Sequence, residues 1–375
     1  MEFRDLNIQY KRYKKDIDTA IQEVLSNANF ISGKEIKELE AQLAEYVGVK
    51  HCITCANGTE AMTLVLMSWG IKEGDAVFLP DFTFFSTGEV VSYRGATPVF
   101  VDVDRETFNL DTVKLEIAIN KVLEEGKLTP KVIIPVDLFG LPANHNKIKE
   151  IANKYNLLVL EDGAQGFGGH INGKRACGFG DAATTSFFPA KPLGCYGDGG
   201  AIFTNDSELA SLLNSLKVHG KGENKYDNVR IGVNSRLDTI QAAILKVKLK
   251  AFIEHEVEDV NRAYNLYNER LAGIVETPYI PEGYYSSFAQ YTIKLQNKEQ
   301  RDGLQAKLKE KGIPSMVYYV KPMHKQEAFS YLEFNDQDFE VTERLCHTVL
   351  SLPMHPYLSE EDIDAVCSVI EGYLG

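Results

Sequence analysis

The chain has 375 residues, 44% of them apolar and 25% charged, and a formal net charge of −13. This length predicts two domains rather than one core, and the acidic balance argues against a nucleic-acid partner, whose usual footprint is a basic face. No stretch approaches the roughly 18 to 20 apolar residues of a membrane span, and Met1-Glu2-Phe3-Arg4-Asp5-Leu6 lacks the apolar core of a signal peptide, so a cytoplasmic protein is expected.

Residues 16–27 and 35–47 read as helices. In the second, Ile36, Leu39, Leu43 and Val47 form an apolar stripe at helical spacing, opposite Glu38, Gln42 and Glu45. Residues 53–56 read as a short strand, and Asn57-Gly58-Thr59 then opens a helix over 60–69. Apolar runs of strand length follow at 76–79, 99–103, 131–136 and 157–160, with helical segments between them, such as 147–154. This alternation predicts a parallel sheet covered on both faces. From about residue 205 helices dominate, at 208–217 and then in one long helix over about 239–271. A strand at 290–295 and helices at 298–311 and 360–373 complete the chain. The expected organisation is a large α/β domain over 1–240, then a long helix and a smaller α+β domain over 241–375.

Six cysteines are scattered along the chain, two of them as Cys52-Ile53-Thr54-Cys55. With no second CxxC, this pair reads as a buried strand entering a turn rather than half a zinc site or a redox pair. Disulfides are not expected in a cytosolic chain of this size, and no metal site is expected.

Several segments together point to one chemistry. Lys191 follows Ser186-Phe187-Phe188-Pro189-Ala190 and precedes a glycine-rich turn through Gly200. A lysine held away from water has a lowered pKa and is a usable amine nucleophile, able to form a Schiff base with an aldehyde cofactor. The apolar strand Leu157-Leu158-Val159-Leu160 ends in Glu161-Asp162. Beside a pyridine cofactor, one such carboxylate would keep the ring nitrogen protonated, so that the ring acts as an electron sink, and Gln165 could reach the ring hydroxyl. Gly58 and Thr59 at a helix start suit an anion, and Ser186 offers a second hydroxyl. Phe82-Thr83-Phe84-Phe85 follows a strand and would lie at the sheet's edge, where ligands of open α/β sheets bind. Asn234 and Arg236 precede the long helix, and arginine matches carboxylate or phosphate with a planar fork. Gly178-Phe179-Gly180-Asp181-Ala182-Ala183 fits a dinucleotide motif by letter, but it follows polar residues rather than a buried strand, so a nicotinamide or flavin role is not expected.

These residues resemble the DegT family of sugar aminotransferases, which depend on pyridoxal 5'-phosphate. The resemblance spans nearly the whole chain. It runs from Phe30-Ile31-Ser32-Gly33 through Asn57-Gly58-Thr59, Glu161-Asp162-Gly163-Ala164-Gln165 and residues 186–200, to Asn234-Ser235-Arg236-Leu237-Asp238 and Leu352-Pro353-Met354-His355. It implies the aspartate-aminotransferase fold (fold type I), Lys191 as cofactor anchor and proton shuttle, and Asp162 at the pyridine nitrogen. It further implies Gln165 at the ring hydroxyl, Phe84 stacked on the ring, and Gly58, Thr59 and Ser186 at the phosphate. Asn234 would reach the phosphate of the neighbouring subunit's cofactor, which makes a homodimer the expected unit. The implied reaction moves an amino group from L-glutamate to a nucleotide-linked keto sugar, with Arg236, Tyr319, His324 and His219 as substrate-side candidates and His355 beside them. The segment 189–196 looks especially like enzymes of UDP-linked 3-keto amino-sugar acids. Val317-Tyr318-Tyr319-Val320 departs from them, since those relatives tend to carry histidine before the tyrosine, and a 4-keto sugar stays open. A keto cyclitol as substrate, or a non-catalytic binding protein on the same fold, are the rival readings; Lys191 argues against dehydratase members of the family, which carry histidine there.

Overall fold

In the computed structural model, which describes residues 1–224 and 226–375, the first helix, α1 (Leu6–Asn27), starts well before its apolar stripe does. The Asp5 side chain accepts the Ile8 N–H at 2.8 Å and so caps the first turn. Next come α2 (Lys34–Val47), β1 (His51–Cys55), α3 (Gly58–Ser68), β2 (Asp75–Pro80), α4 (Ser86–Tyr93), β3 (Thr97–Val101), α5 (Thr112–Glu125), β4 (Thr129–Ile133), α6 (His145–Tyr155) and β5 (Leu158–Asp162). The small strands β6 (His170–Ile171) and β7 (Lys174–Arg175) precede β8 (Ala182–Ser186), β9 (Gly200–Thr204) and α7 (Ser207–Leu216).

Among the described residues seven strands form the main sheet, in the order β1-β9-β8-β5-β4-β2-β3. The expected sheet was parallel; the observed one is mixed. β9 runs antiparallel to both β1 and β8, while β2, β3, β4, β5 and β8 pair in parallel. The exception arises because β8 and β9 are joined by the lysine loop, residues 187–199, which forms no helix to carry the chain back across the sheet as a parallel crossover usually does. Helices cover both faces, and β2 is buried along its whole length, as a doubly covered sheet requires.

The long helix expected over 239–271 consists of α8 (Thr239–Ala251), a π turn (Phe252–Glu256) and α9 (Val257–Leu271). It leads to β10 (Tyr284–Tyr285), β11 (Tyr291–Lys294), α10 (Lys298–Glu310), α11 (Glu340–Thr348), β12 (Val349–Leu352) and α12 (Glu360–Leu374). β11 and β12 pair antiparallel, and α9, α10 and α12 pack around them through Tyr267, Leu304 and Ile370. The segment between α10 and α11 returns to the main sheet: Met323, Phe329 and Phe339 join the core built on α3 and β2. This return brings residues from both halves of the chain to one cavity. All six cysteines are buried and unpaired, Cys52 and Cys55 on β1.

Candidate active site

The cavity lies at the carboxyl ends of the parallel strands, with a volume of about 880 Å³, within the range of small-molecule sites. It is lined by Gly58 and Thr59 from α3, Phe84 after β2, Asp162 at the end of β5 and Gln165 beyond it, Ser186 at the end of β8 and Lys191 beyond it, and Tyr319.

Each strand end supplies its residue for a local reason. The Asp162 N–H donates to Pro135 O at 2.9 Å and its carbonyl accepts from Asp137 N at 3.0 Å, so the turn after β5 is tied to its neighbour. The Asp162 carboxylate accepts the Thr87 hydroxyl at 3.0 Å and the Ala164 N–H at 3.2 Å. Glu161, one residue earlier, points to the opposite face and accepts the backbone N–H groups of Cys177, Phe179 (2.8 Å) and Gly180 (3.2 Å). Residues 178–180 therefore form a turn around a buried carboxylate, which accounts for their glycines without a dinucleotide.

Burial raises the pKa of Asp162, against the pull of the Ala164 N–H, the Lys191 charge and the Thr87 hydroxyl. A buried carboxylate of this kind gains most from a cationic partner. Burial lowers the pKa of Lys191, opposed by Asp162 and assisted by Arg4. The lysine is thereby biased toward the free amine, its nucleophilic form.

Gln165 Oε1 accepts the Phe139 N–H at 2.9 Å and Nε2 donates to the Tyr319 hydroxyl at 3.1 Å, which fixes the amide's orientation. The phosphate end is built at α3. Asn57 caps the helix by accepting the Glu60 N–H at 2.8 Å, while the first-turn N–H groups of Gly58 and Thr59 precede any intrahelical partner. A Cβ on Gly58 would lie 2.9 Å from Ser186 Cβ, and one on Gly200 would lie 2.4 Å from the Asn57 carbonyl carbon. The glycines thus let a helix N-terminus, a serine and a strand end meet where an anion is favoured. Phe84 is 54% exposed at the cavity wall, whereas Phe82 is core, packed edge-on to Phe139 and Tyr319 at 6.2 and 5.8 Å.

Five expected residues, His355 among them, lie outside this cavity. His324 is a correction: it is buried, its Nδ1 lies 2.7 Å from Asp81 Oδ2, and its ring stacks on Phe339 at 4.3 Å. Its backbone N–H also donates to Asp81 at 2.8 Å, so it braces the turn that leads to Phe84 instead of facing a substrate. Burial disfavours its cationic form, but the Asp81 carboxylate outweighs this and raises its pKa. His219 lines a separate open cleft with Lys221, Asn228 and Arg230. Asn234 is exposed, paired through its backbone with Val218, and Arg236 is half-buried on the same segment. Sequence reasoning missed Thr87, which holds Asp162. It also missed Tyr318, Lys321 and Asp198 at the cavity wall. Thr87 sits one helical turn beyond Thr83, and their hydroxyls lie 3.2 Å apart, but no spacing rule links either to a carboxylate 75 residues on.

A buried carboxylate and a half-buried lysine lining one cavity, beside an anion cradle and an aromatic wall, fit pyridoxal phosphate: Lys191 and Asp162 for its aldehyde and ring nitrogen, Gly58, Thr59 and Ser186 for its phosphate. Fold and site together define an aminotransferase of the aspartate-aminotransferase type. The chain belongs to the DegT/DnrJ/EryC1/StrS aminotransferase family, whose model matches residues 11–371. It is 45% identical over 375 residues to a UDP-2-acetamido-2-deoxy-3-oxo-D-glucuronate aminotransferase of Pseudomonas aeruginosa, covering 99% of each chain. It is 41% identical to a UDP-N-acetyl-3-dehydro-alpha-D-glucosamine 3-aminotransferase of Acidithiobacillus ferrooxidans, covering 98% of this chain and 96% of that one. The crystal structure of a DegT DnrJ EryC1 StrS aminotransferase from Brucella abortus superposes with a TM-score of 0.97 at 51% identity, covering all of both chains. The sequence-based expectations of fold and family are borne out.

Proposed function

We propose that this chain is a pyridoxal-phosphate-dependent aminotransferase that replaces the 3-keto oxygen of a UDP-linked 2-acetamido sugar with an amino group from L-glutamate, for surface polysaccharide or glycan synthesis. The observation that carries this reading is Lys191 and Asp162 in one cavity with the α3 phosphate cradle. Two relatives of high identity act, by name, at carbon 3 of UDP-linked amino sugars, which favours C3 over C4 here.

When bound, the cofactor supplies an electron sink that lets a C–H bond next to nitrogen ionise. The chain's residues do the rest. The Lys191 amine takes the proton from the donor's carbon and returns one to the sugar carbon, as a general base and then a general acid. Asp162 holds the charge of the ring nitrogen. Gln165 and Tyr319, locked to each other, orient the ring edge, and Phe84 covers a face. In this reading residues 1–240 carry the cofactor and 241–375 close the substrate side.

The working unit is a homodimer with shared sites. The segment that bears Asn234 and Arg236 is unused by its own cavity, and beside it Val229 and Ile231 are 53% and 89% exposed, an apolar surface that suits a second copy. Asn234 and Arg236 then serve the partner's phosphate and substrate.

The test is the visible absorbance of the purified protein with added pyridoxal phosphate, in wild type and Lys191→Ala, before and after glutamate, followed by product analysis with UDP-linked 3-keto and 4-keto sugars. A band that requires Lys191 and bleaches with glutamate, with transfer to the 3-keto sugar, is expected. A band indifferent to Lys191 would favour a non-catalytic binding protein, and transfer only to a keto cyclitol would overturn the substrate.

A further inference from the structure

The loop that carries Lys191 is closed on itself at its base. The Lys191 N–H donates to Phe188 O at 2.8 Å, and the Cys195 N–H returns to Phe187 O at 2.7 Å. Its far side is held by two basic side chains from distant parts of the chain. Arg4, in the arm before α1, donates from Nη2 to Pro192 O at 3.0 Å. Lys248, on α8 and 2% exposed, donates from Nζ to Gly194 O. Lys248 Nζ also lies 5.1 Å from the centre of the Tyr196 ring. Gly194 has no room to shift inward, since a Cβ there would meet Pro189 O at 2.5 Å.

We propose that Arg4 and Lys248 are positioning residues for Lys191: by clamping the carbonyls of Pro192 and Gly194 they fix the loop that aims its amine, and Arg4 places a permanent positive charge behind that amine. Neither residue touches the cavity. A buried polar nitrogen is costly unless an acceptor compensates it, and for Lys248 that acceptor is the Gly194 carbonyl. Asp162 and Arg4 are the charged groups acting on the Lys191 amine, with opposite sign. Around Arg4 stand Glu256 and Tyr357; around Lys248 stand Arg4, Glu256 and Cys195. Burial, assisted by Arg4, lowers the Lys248 pKa to about 7, which leaves Arg4 as the fixed charge; Glu256 stands near both side chains and accepts from the Tyr357 hydroxyl. The Arg4 charge adds to burial in disfavouring an ammonium at Lys191.

The inference rests on Lys191 being the reactive amine, and borohydride trapping of the cofactor on Lys191 tests that separately. The pH–rate profile for acetylation of Lys191 in cofactor-free full-length protein, read by peptide mass spectrometry, tests the charge. Arg4→Gln should raise the midpoint, so that the neutral amine at pH 7.5 falls by about 3- to 10-fold, and Arg4→Lys should restore it. Hydrogen exchange of the 187–197 amides in the holoenzyme tests the clamp. Lys248→Met should speed exchange about 10-fold, equivalent to about 1.4 kcal/mol, and Lys248→Arg should not. An unchanged midpoint in Arg4→Gln, or unchanged exchange in Lys248→Met with wild-type melting, overturns the corresponding role. Should Arg4→Gln fail to fold, Arg4→Lys against Arg4→Met in the same profile decides the charge.

Discussion

Glu161 and Asp162 are adjacent, chemically alike and both buried, yet their surroundings give them different work. Glu161 spends its oxygens on three backbone N–H groups, whereas Asp162 lines the cavity with only Thr87 and Ala164 as partners. Alternation along β5 sends successive side chains to opposite faces, so only one of the pair can face the ligand. Asp162→Asn keeps the shape and removes the charge. Pyridoxal phosphate should still bind through Lys191 and the phosphate cradle, while the glutamate half-reaction slows by about 10²-fold or more. Stopped-flow loss of the visible band reads this rate; a wild-type rate would take the charge of Asp162 out of the chemistry. At this scale the sequence was informative where a residue is unusual in its setting, as a lysine among aromatics or a carboxylate ending an apolar strand. It was silent where ordinary residues act through contacts, as Thr87 does. It misled at His324, because a histidine that braces Asp81 from behind looks, in sequence, like one that faces a substrate.

In the proposed reading, the first turn of α3 holds the cofactor's phosphate. Gly58 occupies a helical position where alanine would be preferred by propensity, by roughly 1 kcal/mol. It is glycine because Ser186 leaves no room for a Cβ. Gly58→Ala should lower the melting temperature modestly, since the Cβ pushes Ser186 aside, and weaken binding of pyridoxal phosphate about 10-fold, or about 1.4 kcal/mol. Pyridoxal, which lacks the phosphate, should bind as before. Equal weakening of both would mean that the turn does not hold the phosphate. Among elements, the long apolar strands and amphipathic helices were legible from periodicity. β8 and β9 were not: Ala182-Ala183-Thr184-Thr185-Ser186 and Gly200-Ala201-Ile202-Phe203-Thr204 are short, small or polar in part, and flank the loop that drew attention as a motif. Missing that pair hid the antiparallel strand and made the sheet look wholly parallel. The π turn in the long helix was likewise invisible, since one extra residue per turn barely alters an apolar stripe.

At the scale of the whole molecule, the site depends on segments that meet only after the chain has folded back on itself. The arm at residues 2–5 crosses to the segment after β12, where the Met354 N–H donates to Phe3 O at 3.2 Å. Beside this contact lies His355, 3% exposed, with Nδ1 accepting the Tyr357 N–H at 3.3 Å. Burial and the nearby Arg4 lower its pKa from 6.5 to about 4. Between those values the unfolded chain takes up a proton that the folded chain refuses. The contribution of His355 is therefore present above pH 6.5 and is lost as pH falls toward 4, a loss of up to about 3 kcal/mol. Asp137 and Glu161 act in the opposite sense: burial pushes each up to about 7, so in the folded chain they hold protons that the unfolded chain has released, and acidification from 7 favours folding through them. The two effects separate in a variant. His355→Gln keeps a hydrogen-bonding side chain and cannot become an imidazolium, so its melting temperature should fall less between pH 7 and pH 4.5 than that of wild type. Because His355 sits against the arm that carries Arg4, the same acidification should release the arm's contacts first, read as faster hydrogen exchange at residues 2–5 in wild type but not in His355→Gln. Parallel melting curves for the two proteins would place the acid sensitivity elsewhere in the fold.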